Sequence, residues 1–232
     1  MKKRLLASIL SLVLIVTLLP TAALAAGEWD GTSVDIKWCD TTETEFTIDS
    51  AAELAGLAQQ VNGGNTFQGK TIKLGADIDL ANQEWTPIGT KDNPFKGTFD
   101  GGEHTISNLV ITGRNSDVGL FGYTTDGEIK DLTIKNAQVS GYLNVGVVAG
   151  TPYTSKYTNI KVTGHVEVNG MAYVGGVGGK NAYADWTDIT VNVDESSYVK
   201  AISTENGTAY RTYVGGVIGF MGEGNHTFKD IN

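Results

Sequence analysis

One short pattern recurs five times after residue 100 and constrains the fold more than any other feature. It reads apolar or aromatic, any residue, Asn or Asp, then Leu or Ile: ISNLVI (106–111), IKDLTI (129–134), YTNIKV (157–162), WTDITV (186–191) and FKDIN (228–232). The Leu/Ile anchors are 23, 28, 29 and 42 residues apart. A second block travels with it: VGLFGY (118–123), VGVVAG (145–150), VGGVGG (174–179) and VGGVIG (214–219) align without gaps and all open on Val-Gly. Self-similarity at roughly 20–50 residues is the mark of stacked-repeat architectures.

The apolar anchors of the first pattern sit two residues apart, as in Leu109/Ile111, Leu132/Ile134, Ile160/Val162 and Ile189/Val191. That is strand periodicity. Val, Ile, Thr and Tyr punctuated by Gly, Asn and Asp argue for short strands with tight corners rather than helices. Two or three such strands per repeat predict an all-β, right-handed parallel β-helix, one coil per repeat, with equivalent strands stacked about 4.8 Å apart. Equivalent residues of successive coils then lie above one another, so a corner with positive φ or a tight cross-section demands glycine in every coil. The 42-residue step is explained by a loop of extra residues within 194–211 that bulges from one coil.

The same stacking decides two site questions. VGGVGGK resembles a phosphate-cradling loop, but a Walker loop needs Gly five positions before its Gly-Lys and Ser/Thr after it. Here Val174 and Asn181 hold those places, and no other copy has the lysine. The block is scaffold. The Asn/Asp column reads Asn108, Asp131, Asn159, Asp188, Asp230. One reading is a corner ladder in which short side chains bond turn backbone. The other is a column of cation ligands, which on its own lacks the roughly 6–8 oxygens calcium takes. The ladder is favoured, with no metal and no cofactor expected.

A solenoid end exposes apolar core and unpaired edges and needs a lid. SAAELAGLAQQVNG (50–63) supplies an amphipathic helix over about 50–62, with Ser50 and Glu53 as a capping box, Gly63 as its stop, and Ala51, Leu54, Leu57, Ala58 and Val61 on one stripe. TIKLGADIDL (71–80) reads as the first strand, which divides the chain into an N-terminal and capping segment, 26–70, and a β-helix, 71–232.

Residues 1–25 form a secretory leader. Lys2, Lys3 and Arg4 precede an apolar run from Leu5 to Leu19, and Ala23-Leu24-Ala25 places cleavage after Ala25. The run is too short for the ~20 residues that span a bilayer, so no stable membrane insertion is expected once it is removed. Its loss takes 17 basic residues to 14 against 26 acidic, and the formal charge from −9 to −12. Nucleic acid, which needs basic side chains along its backbone, is a poor partner. Cys39 is the sole cysteine, so no intrachain disulfide forms; it reads as a buried thiol beside Trp38, with pairing to another chain as the alternative.

The run EFTIDSAAELAGLAQQVNGG, TIKLGADIDL, WTPIG and PFKGTFDGGEHTISNL, followed by VGLFGY, resembles the bacterial GLUG-motif proteins. The motif is Gly119-Leu120-Phe121-Gly122. Later copies depart from it, with Gly146 and Ala149, Gly175 and Gly178, Gly215 and Ile218 at the corresponding ends. The resemblance covers most of 45–232 and implies a right-handed parallel β-helix within large secreted or surface-attached proteins, among them adhesin-like proteins and some immunoglobulin-A1-cleaving metalloproteases. Zinc-protease activity does not carry over, because His104, His165 and His226 are isolated and no HExxH occurs.

The expected function is a secreted or cell-surface bacterial scaffold that displays a surface, non-catalytic, with a host or cell-surface glycan or protein as partner and further domains of a longer chain beyond the half-built copy at 228–232. The alternative is a polysaccharide-cleaving enzyme, lyase or hydrolase, with Asp77 and Asp79 on one strand face, or Asp100, Glu103 and His104 at a corner, as its acids. Hydrolysis needs two carboxylates about 5–10 Å apart across a cleft. Ice binding would need Thr at one place in every coil, but that place reads Val110, Thr133, Lys161, Thr190. Tyr157, Tyr173 and Trp186 are candidates for stacking on sugars, though the repeat column of Tyr157 and Trp186 favours burial. Asn206-Gly207-Thr208 and Asn225-His226-Thr227 match glycosylation sequons.

Overall fold

The structure, a computed structural model, describes residues 28–39, 42–202, 204–205, 208–209, 211–222 and 228–231. The chain is a parallel β-solenoid of about five turns. Ahead of the turns, the N-terminal cap carries β1 (Glu45–Ile48) and α1 (Ala51–Asn62). The first turn carries β2 (Thr71–Leu74) and β3 (Ile78–Asp79), followed by a turn of β4 (Thr98–Asp100), β5 (Thr105–Ile111) and β6 (Phe121–Thr125). Two full coils follow: β7 (Glu128–Ser140), β8 (Leu143–Val145), β9 (Ala149–Tyr153), then β10 (Lys156–Gly170), β11 (Ala172–Gly175), β12 (Gly178–Asn181). The last carries β13 (Asp185–Val193), β14 (Tyr198–Ala201), a short antiparallel pair β15 (Thr204–Glu205) and β16 (Thr208–Ala209), β17 (Val214–Gly215) and β18 (Ile218–Met221); β19 (Phe228–Ile231) pairs with β13. The β15–β16 pair falls where the 42-residue step predicts extra chain.

Rung partners such as Thr71, Thr98, Glu128, Lys156 and Asp185 set coil lengths of 27, 30, 28 and 29 residues. One core column follows from this register: Phe46, Ile72, Phe99, Ile129, Tyr157 and Trp186, each 6% exposed or less. Its last two rings stack at 4.0 Å and 13°.

The register corrects the repeat alignment at its first copy. Ile106 stacks on Ile134 and Asn108 falls opposite Asn136, so ISNLVI belongs to the second strand of its coil, not the first. Asp131, Asn159 and Asp188 do share a column. The 23-residue step, shorter than every true coil length, is the trace of this offset. β7 turns at Asp131 and again at Asn136, β10 at Asn159 and again at Gly164, and sequence alone merges the two corners.

Parallel pairing also begins a strand earlier than the periodicity suggests, because β1 pairs with β2 ahead of the helix. The run 71–80 is not one strand but two, broken at Gly75, whose ideal Cβ would lie 2.1 Å from the Asp49 carboxylate. Ser50 caps α1 by accepting from the Glu53 amide, and the Glu53 carboxylate reaches back to the Asp49 amide at 2.8 Å. The buried stripe is wider than predicted, including Ala55 and Gly56, because residues 28–39 cross the outer side of the helix. A Cβ on Gly56 would meet the Asp35 carbonyl at 2.0 Å. Ser50→Ala is expected to destabilise the lid by about 1 kcal/mol, read as a lower melting midpoint. Cys39 is half-buried against the core, with its Sγ 3.9 Å from the Asn65 amide.

Candidate functional site

The corner columns come first, since they account for most of the residues singled out by the repeat. Asp131, Asn159 and Asp188 all have φ between 52° and 55°, the left-handed region that Asn and Asp tolerate best among residues with a Cβ. Asn159 donates its amide to Asp131 and to Glu103, each at 2.8 Å, and Lys130 stands 3.5 Å from Asp131. Asn108 (φ 60°) belongs to a second column: it donates to Asp79 at 2.8 Å and accepts from Asn136 at 3.2 Å. Asp230 follows Asp188 in register; its side chain, like Ala25 and the asparagines of both sequons, lies outside the described residues. These are turn ladders: the first alternates carboxylate and amide, and the second runs from the Asp79 carboxylate to the successive amides of Asn108 and Asn136. Among the described residues, no group of three or more His, Cys, Asp or Glu is placed to hold a metal ion.

Of the two causes expected for the glycine block, positive φ and a tight cross-section, the structure has the second. None of its glycines has positive φ; backbone contact excludes a side chain instead. On Gly119, Gly146, Gly175 and Gly215 a Cβ would fall 1.9–2.6 Å from a backbone carbonyl, and on Gly122, Gly150, Gly179 and Gly219 2.4–2.5 Å from another backbone segment. Gly178 is opened by a side chain: its Cβ would meet the Trp186 ring at 3.0 Å. Positive φ falls instead on the residue just before the block, Asp117, Asn144 and Tyr173. The GLFG copy is also one residue short, since Val118 pairs with Val145 but Phe121 with Ala149. Leu120 and Phe121 are buried.

The acids weighed as catalysts are all engaged. Asp77 accepts from the Thr105 amide at 2.9 Å and lies 3.3 Å from His104 Nδ1; the amide, then the imidazole, outweigh slight desolvation and hold its carboxyl below the usual range. Asp79 accepts from the Ala81 amide and from Asn108. For Asp100, burial pushes the carboxyl up, but the Lys130 ammonium at 2.8 Å and the Gly102 amide together bring it below its ordinary value. Lowered carboxyls stabilise fully above their unfolded value near pH 3.9 and lose that stabilisation as pH falls through the folded values. The melting midpoint is therefore expected to fall on acidification below about pH 4, with a shallower acid limb in Asp100→Asn. Asp77 and Asp79 line a cleft of about 430 Å³ with Glu28, Trp29, Asp30 and Asp49.

Outward side chains differ from sheet to sheet. The sheet of β7, β10 and β13 presents Glu128, Lys130, Lys156, Thr158, Asp185 and Thr187 in register. That of β6, β9, β12 and β18, with the arch of β8, β11 and β17, presents aromatics. Six of the nine tyrosines lie on it: Tyr123, Tyr142, Tyr153, Tyr173, Tyr183 and Tyr213. Tyr153 and Tyr183 meet edge to face at 5.8 Å. Tyr173 and Tyr213 stack at 5.4 Å and 12°, and Phe220 closes the group at 4.8 and 4.9 Å. Lys180 lies over Tyr173 at 5.7 Å and Arg114 over Tyr142 at 5.5 Å. Burial, with the Asp117 charge and Tyr153 beside it, pushes the Tyr123 phenol up. Of the three rings proposed for sugar stacking, Tyr157 and Trp186 are fully buried and only Tyr173 faces outward. The rest of this face was missed because no linear motif joins its residues; it emerges only when the coils are stacked.

No helix among the described residues is long and apolar enough to cross a membrane. No known family profile matches the chain. Over 164 residues, 64% of this chain, it is 36% identical to halomucin of Haloquadratum walsbyi, of which the match covers 2%. A candidate Gly-rich membrane protein of Evansella cellulosilytica is 28% identical over 119 residues, 49% of this chain and 14% of that protein. The chain thus spans a small part of the curated relatives it matches. Among solved structures, a candidate immunoglobulin A1 protease from Bacteroides ovatus superposes with a TM-score of 0.52 over 79% of this chain and 63% of its own, at 18% identity, a likeness of fold alone.

Proposed function

We propose that this chain is exported by its leader and serves as a GLUG-type, adhesin-like display solenoid on a bacterial surface or in the space around it, without catalysis. The observation that carries this reading is how Asp77, Asp79 and Asp100 are used: each is bonded to a backbone amide and to a side chain of a neighbouring coil. Carboxylates so engaged brace coils and are poorly placed to shuttle protons. The outward aromatics, by contrast, are displayed. Similarity to a named membrane protein and to segments of longer chains supports the surface assignment.

Expression with the leader intact should deliver a product that begins at Ala26 to the outside of the cell. Retention inside, or an uncleaved leader, contradicts export. The runner-up, a polysaccharide-cleaving enzyme, draws on the acidic cleft at Asp77 and Asp79. Incubation with acidic and neutral glycans, with and without calcium, is expected to release no product; release that is lost in Asp77→Asn or Asp79→Asn would establish the enzyme reading instead.

A further inference from the structure

Two hollows adjoin at Trp29, where residues 28–39 cross α1. The first, of about 390 Å³, is lined by buried Ala55, Ala58 and Trp85, by half-buried Trp29 and by exposed Val34. Its size is that of a small-ligand site, about 300–1,000 Å³. The Trp29 and Trp85 rings meet at 5.9 Å and 59°, tilted rather than face to face. The Trp29 indole is fixed by donating to the Ser33 carbonyl at 2.9 Å. Glu84, the one charged residue lining this hollow, is taken up by the Thr112 amide at 2.7 Å and hydroxyl at 2.8 Å. The second hollow is the acidic cleft of about 430 Å³, which Trp29 also lines. Its Glu28, Asp30, Asp49, Asp77 and Asp79 are all exposed, and among the described residues no Lys, Arg or His lines either hollow. Bonds from neutral groups leave the charge in place. The Ser33 hydroxyl and amide, with the Thr32 amide, hold the Asp30 carboxyl well below its ordinary range, and Asp79 accepts only from amides.

We propose that the two hollows form one docking site for a basic, amphipathic peptide segment of a partner protein, with an apolar side chain between Trp29, Ala58 and Trp85 and flanking Lys or Arg side chains meeting the carboxylates beyond Trp29. Charge complementarity fixes the sign of the partner: five carboxylates face one cleft of a protein whose formal charge is −9. The apolar hollow fixes the second requirement, since a bare cation leaves it unfilled and a neutral apolar group leaves the acids unused. Trp29 serves both halves, because an indole accepts an apolar side chain or a cation on its face. The proposal rests on the display reading and names its partner.

The probe is a blocked pentapeptide with one phenylalanine between two pairs of lysines, titrated calorimetrically into the chain without its leader. One control peptide has glutamates in place of the lysines; the other has serine in place of the phenylalanine. The basic phenylalanine peptide is expected to bind at least about tenfold tighter than either control, and more weakly as ionic strength rises. Trp29→Ala should weaken it about tenfold or more, and Glu28→Gln with Asp49→Asn about three- to tenfold. Glu195→Gln, which removes a charge from the last coil, should change nothing. The charge pair alters only exposed side chains, so it remains informative should Trp29→Ala loosen the segment over α1. No binding, equal binding by either control peptide, binding indifferent to salt, or full binding by both the Trp29 and the charge variants overturns the proposal. A correctly exported chain that binds none of the peptides overturns the partner and leaves the display reading standing.

Discussion

Gly150→Val is expected to cost about 3 kcal/mol or more. For a chain of this size that lowers the melting midpoint by about 6–12 °C. The reason is contact between backbones. A Cβ on Gly150 would lie 2.4 Å from both the Asp117 carbonyl carbon and the Val118 amide nitrogen of the preceding coil. No rotamer relieves such an overlap, since the clashing atoms are main chain on both sides, so the two coils must part. Parting them also breaks the Val118 amide bond to Asn144 at 3.1 Å and the Leu120 amide bond to Val147 at 2.9 Å. Gly216 is the internal control: it belongs to the equivalent block of the last described coil, yet among the described residues nothing lies within 4 Å of its Cβ. Gly216→Ala should stay within about 0.5 kcal/mol of wild type. Thermal melts of the two variants side by side measure the contrast, and equal losses would show that glycine is needed there for conformation rather than for contact.

Trp186→Ala is expected to lose about 3–5 kcal/mol. Trp186 ends the described core column, is wholly buried and stacks on Tyr157 at 4.0 Å. Gly178 in the facing strand leaves the room its ring fills, so truncation opens a cavity that the rigid glycine corner cannot collapse into. Its partner carries a polar handle. The Tyr157 hydroxyl bonds the Thr124 hydroxyl at 2.8 Å with both residues 0% exposed, and burial pushes the phenol pKa up, so the hydroxyl stays protonated. Tyr157→Phe strands the Thr124 hydroxyl and should cost about 1–3 kcal/mol. Adding Thr124→Val removes the stranded group and should recover most of that loss. Denaturant melts of the two singles and the double close the cycle; additive losses would mean that the two hydroxyls do not depend on each other.

Strand periodicity, the glycine block and the capping box were legible because each is a local rule. A stripe of Leu54, Leu57 and Val61 after Ser50 reads as a helix whatever surrounds it. The parallel stacking was legible too, since repeats of 23–29 residues have few other ways to bury Leu132 and Ile134. What escaped was register. Asn108 and Asp131 look equivalent in sequence because both precede Leu at a left-handed corner, but β7 and β10 each turn twice, and only the pairing tells the corners apart. The same limit explains the aromatic face. Tyr173 and Tyr213 stand in different sequence surroundings and come together only through the alignment of β11 and β17. Asp77 and His104 meet across 27 positions for the same reason. Of the two reasons offered for the glycines, the tight cross-section holds, while positive φ is carried by Asp117, Asn144 and Tyr173 just before the block.

The stacking of coils is tested most directly by a crystallographic map of residues 98–193. Parallel rungs should place Lys130 beside Thr158 and Thr158 beside Thr187, with the Asn108 side chain bonded to Asn136 and not to Asp131. A map in which 128–140 and 156–170 run antiparallel, or belong to separate sheets, would contradict the coil-by-coil architecture.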